Sequence, residues 1–500
     1  MTKPFTTSRQ RMDLAWLCAL AALVFVAHFL TGNGYGFHRD ELQFLDDARH
    51  LQWGYVAFPP ITSFFGRIAI ALFGISPPAL RLPAVAANAL VLVLTGLLAR
   101  ELGGHRAAQL LASAAIFPIC LVLSSMLQYG SFDLLAWVLL SYFTARLLRT
   151  GDARNWIGVG IAVGIGVLSK YTIAFPLLSL FVALLLLPDQ RQALRQRWFW
   201  LGALAAVLIA TPNLLWLAQH HWITLQMEHT IHLRDVRIGR ADGFFPDQLK
   251  FTLLALPLAV AGLIWLLRNT RFRLLSALYL GPMLLLVLMR GRGYYLIPGY
   301  PLLFAAGAVA LESALRRRSP SMRLALRTVC IACLILNLAA AVWSSLPVWP
   351  VDSPAWKWQM KNNYDMANEI GWPELVAQVA AIRDQLPAAD QQRLGVVAEN
   401  YGEAGALALY GPRFGLPTPI SPVNDFYFRG YPTPPPETLI VVGNSLQNEA
   451  RHFQSCSIAG HMTMPHNVQN EESQDHPEIL VCHHLLQPWP LVWSRIEAFG

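Results

Sequence analysis

His38-Arg39-Asp40-Glu41 places two adjacent carboxylates directly after the first long apolar stretch of the chain. Charged groups near bilayer depth are expensive, so carboxylates at the mouth of a span mark a face that meets water or substrate. The plain alternative is a solvated charge pair beside the membrane. Asp133 follows the short turn Ser124–Ser131, Lys170 ends an apolar run, and Arg290 and Arg292 lie in Arg290-Gly-Arg-Gly-Tyr-Tyr295. Taken singly, Asp133 reads as a residue favoured in a first helical turn, and Lys170 as a snorkelling side chain. Taken together, separate turns bring two acidic and two basic elements to similar depth. That set suits transfer of a group from a lipid-borne phosphate. A carboxylate at the water–lipid boundary can take a proton from an acceptor hydroxyl, while Lys and Arg bind the phosphate and stabilise the charge it gains on leaving. Asp40 and Glu41 could also hold a divalent metal ion between them. His38 and Arg39 flank the carboxylates as candidate substrate-binding groups.

The elements that must position these residues follow from composition. The chain is 55% hydrophobic and 14% charged over 500 residues, with a mean hydropathy of +0.41, which excludes an ordinary soluble protein of this length. Apolar stretches long enough to cross a bilayer of about 30 Å recur near 13–30, 83–99, 107–125, 133–147, 156–169, 172–187, 198–217, 249–267, 274–289, 295–311 and 325–346. These predict a polytopic α-helical protein of about eleven spans. With the N-terminus inside, Arg146/Arg149/Arg154, Arg191/Arg195/Arg197, Arg268/Arg271/Arg273 and Arg316/Arg317/Arg318 fall in short inner loops, as the positive-inside rule requires. These loops account for the net charge of +8, and no aromatic-interleaved basic patch calls for nucleic acid. In the first outer loop, 41–51 and 61–73 have the apolar spacing of helices lying in the interface plane. His229 and His232, with Arg234, Arg237 and Arg240, suit either an anionic acceptor or lipid headgroups.

Residues 1–346 are expected to form the transmembrane domain, 347–390 a Pro/Trp-rich linker, and 391–500 a small α/β domain. Arg393–Glu399, Thr438–Gly443 and Glu478–Cys482 read as strands, with a short helix over Glu403–Tyr410. An odd number of spans puts this tail outside. There Cys456 and Cys482 could pair, which spacing alone leaves open.

Asp40-Glu41, Trp53-Gly-Tyr-x-x-x-Pro-Pro60, Leu80-Arg-Leu-Pro83, Asp133, Leu168-Ser-Lys-Tyr171 and Tyr294-Tyr-Leu-Ile-Pro298 resemble the integral-membrane glycosyltransferases of the GT-C fold. Among these, the chain is most similar to bacterial members of glycosyltransferase family 39, related to protein O-mannosyltransferases and to the lipid A aminoarabinose transferase. Glu399-Asn-Tyr-Gly-Glu-Ala-Gly-Ala-Leu407 and Asn470-Glu-Glu472 resemble the tails of bacterial members. The resemblance implies a polyprenyl-phosphate-sugar donor and transfer to an envelope acceptor on the periplasmic face of a bacterial inner membrane. It implies Asp40 as catalytic base or metal-site acid with Glu41 beside it, and Asp133 as the second acidic residue. Lys170 would bind the carrier phosphate, with Arg292 and Tyr295 near it. One departure is Phe58, where many relatives carry Lys or His before the Pro-Pro pair. Two other readings are a transporter or lipid-linked-sugar flippase, which would show paired broken helices or an inverted repeat, and a noncatalytic scaffold whose tail binds a partner.

Overall fold

A computed structural model describes residues 5–240 and 242–500 of the chain. Its first two thirds are helical: α1 Phe5–Thr31, α2 Arg39–Arg49, α3 Ile61–Phe73, α4 Pro77–Glu101, α5 Arg106–Leu123, α6 Tyr129–Thr150, α7 Asn155–Ser169, α8 Ala174–Leu186, α9 Arg197–Gln219, α10 Ile223–Arg237, α11 Phe244–Thr252, α12 Leu256–Arg268, α13 Ala277–Leu288, α14 Tyr300–Arg316 and α15 Pro320–Ser345. Among the described residues, eight helical segments are long and apolar enough to cross a membrane: Arg11–Thr31, Pro77–Glu101, Arg106–Leu123, Tyr129–Thr150, Arg197–Gln219, Phe244–Arg268, Gly293–Arg316 and Pro320–Ser345. The chain is a multi-pass membrane protein. The other three expected spans fall on Asn155–Ser169, Tyr171–Leu186 and Arg273–Leu288. The first has 15 residues, about 22 Å at roughly 1.5 Å per residue, which is shorter than a hydrocarbon core. The second bends by 110° into Pro188–Arg195.

Small residues let the helices close on one another. A Cβ on Gly160 of α7 would collide with the Gly202 carbonyl of α9, so this crossing admits no side chain and the two backbones touch. α4, α5, α6 and α14 bury most of their length, with Leu92, Leu98, Ile116, Trp137 and Phe304 in one core.

The first loop departs from expectation. α2 begins at Arg39, two residues earlier than the apolar spacing indicated, and all but two of its residues are buried in protein. It is covered by the tail and does not lie in a lipid interface. α3 does keep an apolar exposed side, with Phe64, Ile68, Leu72 and Phe73 outward and Thr62, Ser63, Gly66 and Ala69 inward.

Residues 347–390, expected as a linker, fold into α16 Pro354–Asn362, α17 Tyr364–Ala367, α18 Trp372–Gln385 and α19 Ala388–Gln392. α18 buries Leu375, Val376 and Val379 against the tail sheet, so it belongs to the α/β unit. The sheet holds β1 Leu394–Ala398, β2 Thr438–Val442, β3 Phe453–His461 and β4 Glu478–Leu485, with α20 Tyr401–Tyr410 crossing from β1 to β2. Strand order is β1-β2-β4-β3. β1 and β2 run parallel, and β4 runs antiparallel to both β2 and β3. β2 is buried at every position, as a central strand should be. β3, absent from the sequence reading, is a largely exposed edge strand with no clean alternation. Cys456 of β3 faces Cys482 of β4, and the two form a disulfide with a Cα separation of 4.1 Å.

The tail packs onto the site end of the bundle. Phe37, Leu42, Leu45, Leu80 and Phe132 share one core with Trp372, Val396, Leu407 and Ile440. At Gly405 of α20 an added Cβ would meet the Leu42 backbone at 2.9 Å, so α2 and α20 come together at glycine range. Polar clamps flank this seam. Arg429 pairs with Asp46 and reaches Asp47 at 3.4 Å, Asn424 donates to Gln43 at 3.3 Å, and the Val56 N–H donates to Asp425 at 3.2 Å.

Candidate active site

Asp40 and Glu41 are neighbours in sequence and opposites in environment. α2 opens with a capping box: the His38 ring accepts the Asp40 N–H at 3.1 Å, and Glu41 accepts the His38 N–H at 3.0 Å. The box turns Glu41 inward. Its carboxylate is 0% exposed and is gripped by Arg81 of α4, with Nε to Oε1 at 2.9 Å and Nη2 to Oε2 at 2.7 Å. Leu127 donates its N–H to Oε1 at 2.8 Å. Arg81, itself 1% exposed, also donates to the carbonyls of Gly32 and Gly36 at 3.2 and 3.0 Å and lies 3.3 Å from Glu369. Burial raises Glu369 above the usual carboxylate range, with Arg81 opposing. Arg81 thus ties the loop before α2, α2 itself and the tail together, and Glu41 adds the α5–α6 turn through Leu127.

Glu41, expected as a second catalytic carboxylate, therefore has both oxygens committed inside the protein. The same fact bears on a metal ion at Asp40 and Glu41: Arg81 already supplies the cation for Glu41, and the Asp40 side chain points elsewhere. The pair does not fit a shared metal. Among the described residues no group of three or more His, Cys, Asp or Glu side chains is arranged to hold one.

Asp40 keeps its side chain 45% exposed. Oδ1 accepts a hydrogen bond from the Tyr401 hydroxyl of α20 at 2.8 Å. Oδ2 lies 3.9 Å from the His38 ring and, among the described residues, accepts no hydrogen bond, so it is open to a second partner. Burial, followed by the Asp40 charge, pushes the Tyr401 hydroxyl well above the usual phenol range, which keeps it a donor. His38 is buried, and among the described residues its Nε2 has no hydrogen-bond partner. Arg39 turns away from the open side: it stacks over the Tyr401 ring at 4.7 Å and pairs with Glu471 and with Glu472 at 3.5 Å. Behind it Glu403 is fully buried, and burial, then Glu472 and Glu399, raise its carboxyl well above the usual range. Arg39, expected to bind substrate, instead fastens the tail.

Lys170 caps the C-terminal end of α7 in an extended conformation. Its ammonium lies 3.8 Å from the Tyr295 ring centroid, 4.5 Å from Tyr129 and 5.1 Å from Tyr294. This is an aromatic cage for a cation, and among the described residues no carboxylate stands within ion-pair distance of it. Tyr129 also lies within electrostatic reach of Asp40. Asp133 lies one turn into α6 rather than in its first turn. It is buried, within electrostatic reach of Lys170, and accepts from Thr172 at 3.4 Å, so it supports the Lys170 loop from below. Arg292 forks onto Asp235 of α10, with Nη2 to Oδ1 at 2.9 Å, and donates to the Tyr294 hydroxyl at 3.1 Å. Its link to the site runs through that tyrosine. Phe58 packs against Phe44 at 4.3 Å between ring centroids and faces Tyr129 at 6.5 Å, so it forms part of an aromatic wall beside the site. Tyr401, Tyr129, Glu369 and Asp235 were not singled out by sequence. Arg81 carried a signal, as a lone arginine within an apolar helix.

The family model of dolichyl-phosphate-mannose-protein mannosyltransferases matches residues 58–216. The lipopolysaccharide core galacturonosyltransferase RgtB of Rhizobium johnstonii is 27% identical over 222 residues, 42% of this chain and 44% of the relative. RgtA of the same organism is 29% identical over 182 residues, 34% of this chain and 35% of the relative. The match thus spans less than half the length of these relatives. The crystal structure of ArnT from Cupriavidus metallidurans bound to undecaprenyl phosphate superposes with a TM-score of 0.58 at 14% identity, covering 93% of this chain and 98% of ArnT. The apo form gives 0.57 at 14% identity, with 93% and 97% covered. The fold expected from the motifs is borne out: the chain has the membrane fold of the ArnT structures over nearly its whole length.

Proposed function

We propose that this protein transfers a sugar from a polyprenyl-phosphate-linked donor to an acceptor of the bacterial envelope, on the periplasmic face of the inner membrane. The observation that carries this reading is an open Asp40 oxygen together with a Lys170 ammonium held in a tyrosine cage, one tyrosine of which, Tyr129, lies within electrostatic reach of Asp40. Asp40 Oδ2 takes the proton of an acceptor hydroxyl as its oxygen attacks the anomeric carbon. The bond from that carbon to the phosphate oxygen breaks, and the polyprenyl phosphate leaves with an added negative charge. Lys170 binds that phosphate and stabilises the charge. Glu41 and Arg81 hold the frame on which Asp40 is mounted, and Tyr401 fixes which carboxylate oxygen faces the acceptor. Arginine-rich short loops at the other end of the helices support the orientation. The names of the matched relatives make galacturonic acid and lipopolysaccharide core the first donor sugar and acceptor to test.

The test is mass spectrometry of envelope glycans and polyprenyl-phosphate sugars in a deletion strain carrying wild-type or Asp40→Asn protein. Loss of one glycan sugar with accumulation of its lipid donor, both restored by wild type alone, is the expected result. Equal restoration by Asp40→Asn would overturn the reading in favour of a transporter or scaffold.

A further inference from the structure

The opposite end of the bundle holds a second polar cavity, of about 230 Å³, lined by Arg100, Glu101, Arg146 and Arg149. Arg100 lies 19 residues along α4 from Arg81, and Arg149 lies 16 residues along α6 from Asp133. At about 1.5 Å per residue these are roughly 28 and 24 Å, close to one hydrocarbon thickness. The cavity therefore stands at the level of the phosphates of the other leaflet.

Its charge is unbalanced. Glu101 is buried and takes Arg149 Nε at 2.6 Å, with Arg100 farther off at 3.8 Å. Arg146 turns to the Tyr142 hydroxyl at 3.0 Å. Three guanidiniums face Glu101, with Asp152 within electrostatic reach of Arg146, which leaves one positive charge over and most of the N–H donors unspent. The helix end adds no counter-charge, because Arg271 covers the last carbonyls of α6 by donating to Leu148 at 3.0 Å and to Arg149. Arg154 and Arg197 both lie against the Trp198 ring nearby in sequence, an amphipathic pairing common where protein meets headgroups.

We propose that this cavity is a binding site for a phosphate ester, held by Arg100 and Arg146 with Arg149 completing the ring. Guanidinium forks match phosphate oxygens in pairs. The depth favours the headgroup of an anionic phospholipid, and a soluble phosphate offers the same chemistry. This site is independent of the reaction proposed above, and it lies a full membrane thickness from Asp40.

The experiment uses full-length protein purified from membranes and exchanged into nanodiscs of mixed phosphatidylglycerol and phosphatidylcholine. Lipid remaining after detergent extraction is quantified by mass spectrometry. Wild type should retain phosphatidylglycerol selectively, and Arg100→Gln/Arg146→Gln should retain about 10-fold to 100-fold less, as expected for the net loss of one charge-assisted hydrogen bond. Arg146→Gln alone leaves both Glu101 ion pairs in place, so its loss of retention with an unchanged melting temperature separates binding from misfolding. A second arm adds inorganic phosphate. Retention that survives it assigns the site to lipid, whereas displacement, with thermal stabilisation of wild type by phosphate alone, assigns it to a soluble phosphate. Equal retention by wild type and both variants, with no response to phosphate, would overturn the proposal.

Discussion

Replacing Arg81 by Met should damage the fold far more than replacing Asp40 by Asn, although Asp40 is the residue expected to carry the chemistry. Arg81→Met removes both bonds to Glu41, the bonds to the Gly32 and Gly36 carbonyls, and the ion pair to Glu369. Glu41 is then left charged, fully buried, and held only by the His38 and Leu127 N–H groups. Removing one partner of such a pair costs about 3–5 kcal/mol, a large part of a typical total of about 5–15 kcal/mol. Asp40→Asn keeps the acceptor for Tyr401 on a side chain that is 45% exposed, and surface changes of this kind stay within about 0.5 kcal/mol. Tryptophan-fluorescence melts of the two purified variants in detergent decide the matter. A strongly lowered transition for Arg81→Met and a wild-type transition for Asp40→Asn are expected. An Arg81→Met protein that melts with wild type would refute the assignment of Glu41 and Arg81 as the frame of the site.

Tyr401→Phe removes the hydrogen bond the tail makes to Asp40 and should lower kcat about tenfold, the equivalent of about one charge-assisted bond, with a melting temperature lowered by only a few degrees. Lys170→Met should abolish donor turnover, while Lys170→Arg retains a measurable rate in the same lipid-donor assay, since the charge survives and only its placement in the tyrosine cage changes. Burial, then Glu449, pushes the Glu399 carboxyl from 4.5 up to about 7. Its contribution to stability is therefore complete below about pH 4.5 and is lost as pH rises through about 7. Glu399→Gln should flatten the decline in melting temperature across that window in a pH series; an unchanged slope would count against it.

The helical class and the order of the motifs are legible in the sequence because apolar length and arginine-rich loops act locally along the chain. Asp40, Asp133 and Lys170 stand out for the same reason, as charges at the ends of apolar runs. What each carboxylate does depends on residues far away. Glu41 looks equivalent to Asp40 until Arg81, forty positions on, turns toward it. Arg39 reads as a substrate ligand until Glu471 and Glu472 close on it from the other end of the chain. Residues 347–390 read as linker because Pro and Trp dominate the opening, whereas Leu375, Val376 and Val379 of α18 find their partners only once β1 and β2 have paired. Strand β3 escaped notice because an exposed edge needs no alternation. Phe58 and Tyr129 show the same limit, since an aromatic wall is assembled from separate elements.

The most direct measurement is release of undecaprenyl phosphate from a polyprenyl-phosphate sugar pool by the purified protein in liposomes, with an acceptor glycolipid present. Wild type is expected to release the carrier as the acceptor gains sugar. Asp40→Asn, with an unchanged melting temperature, is expected to release none. Carrier release and sugar transfer by Asp40→Asn at the wild-type rate would contradict the assignment of Asp40 as the base.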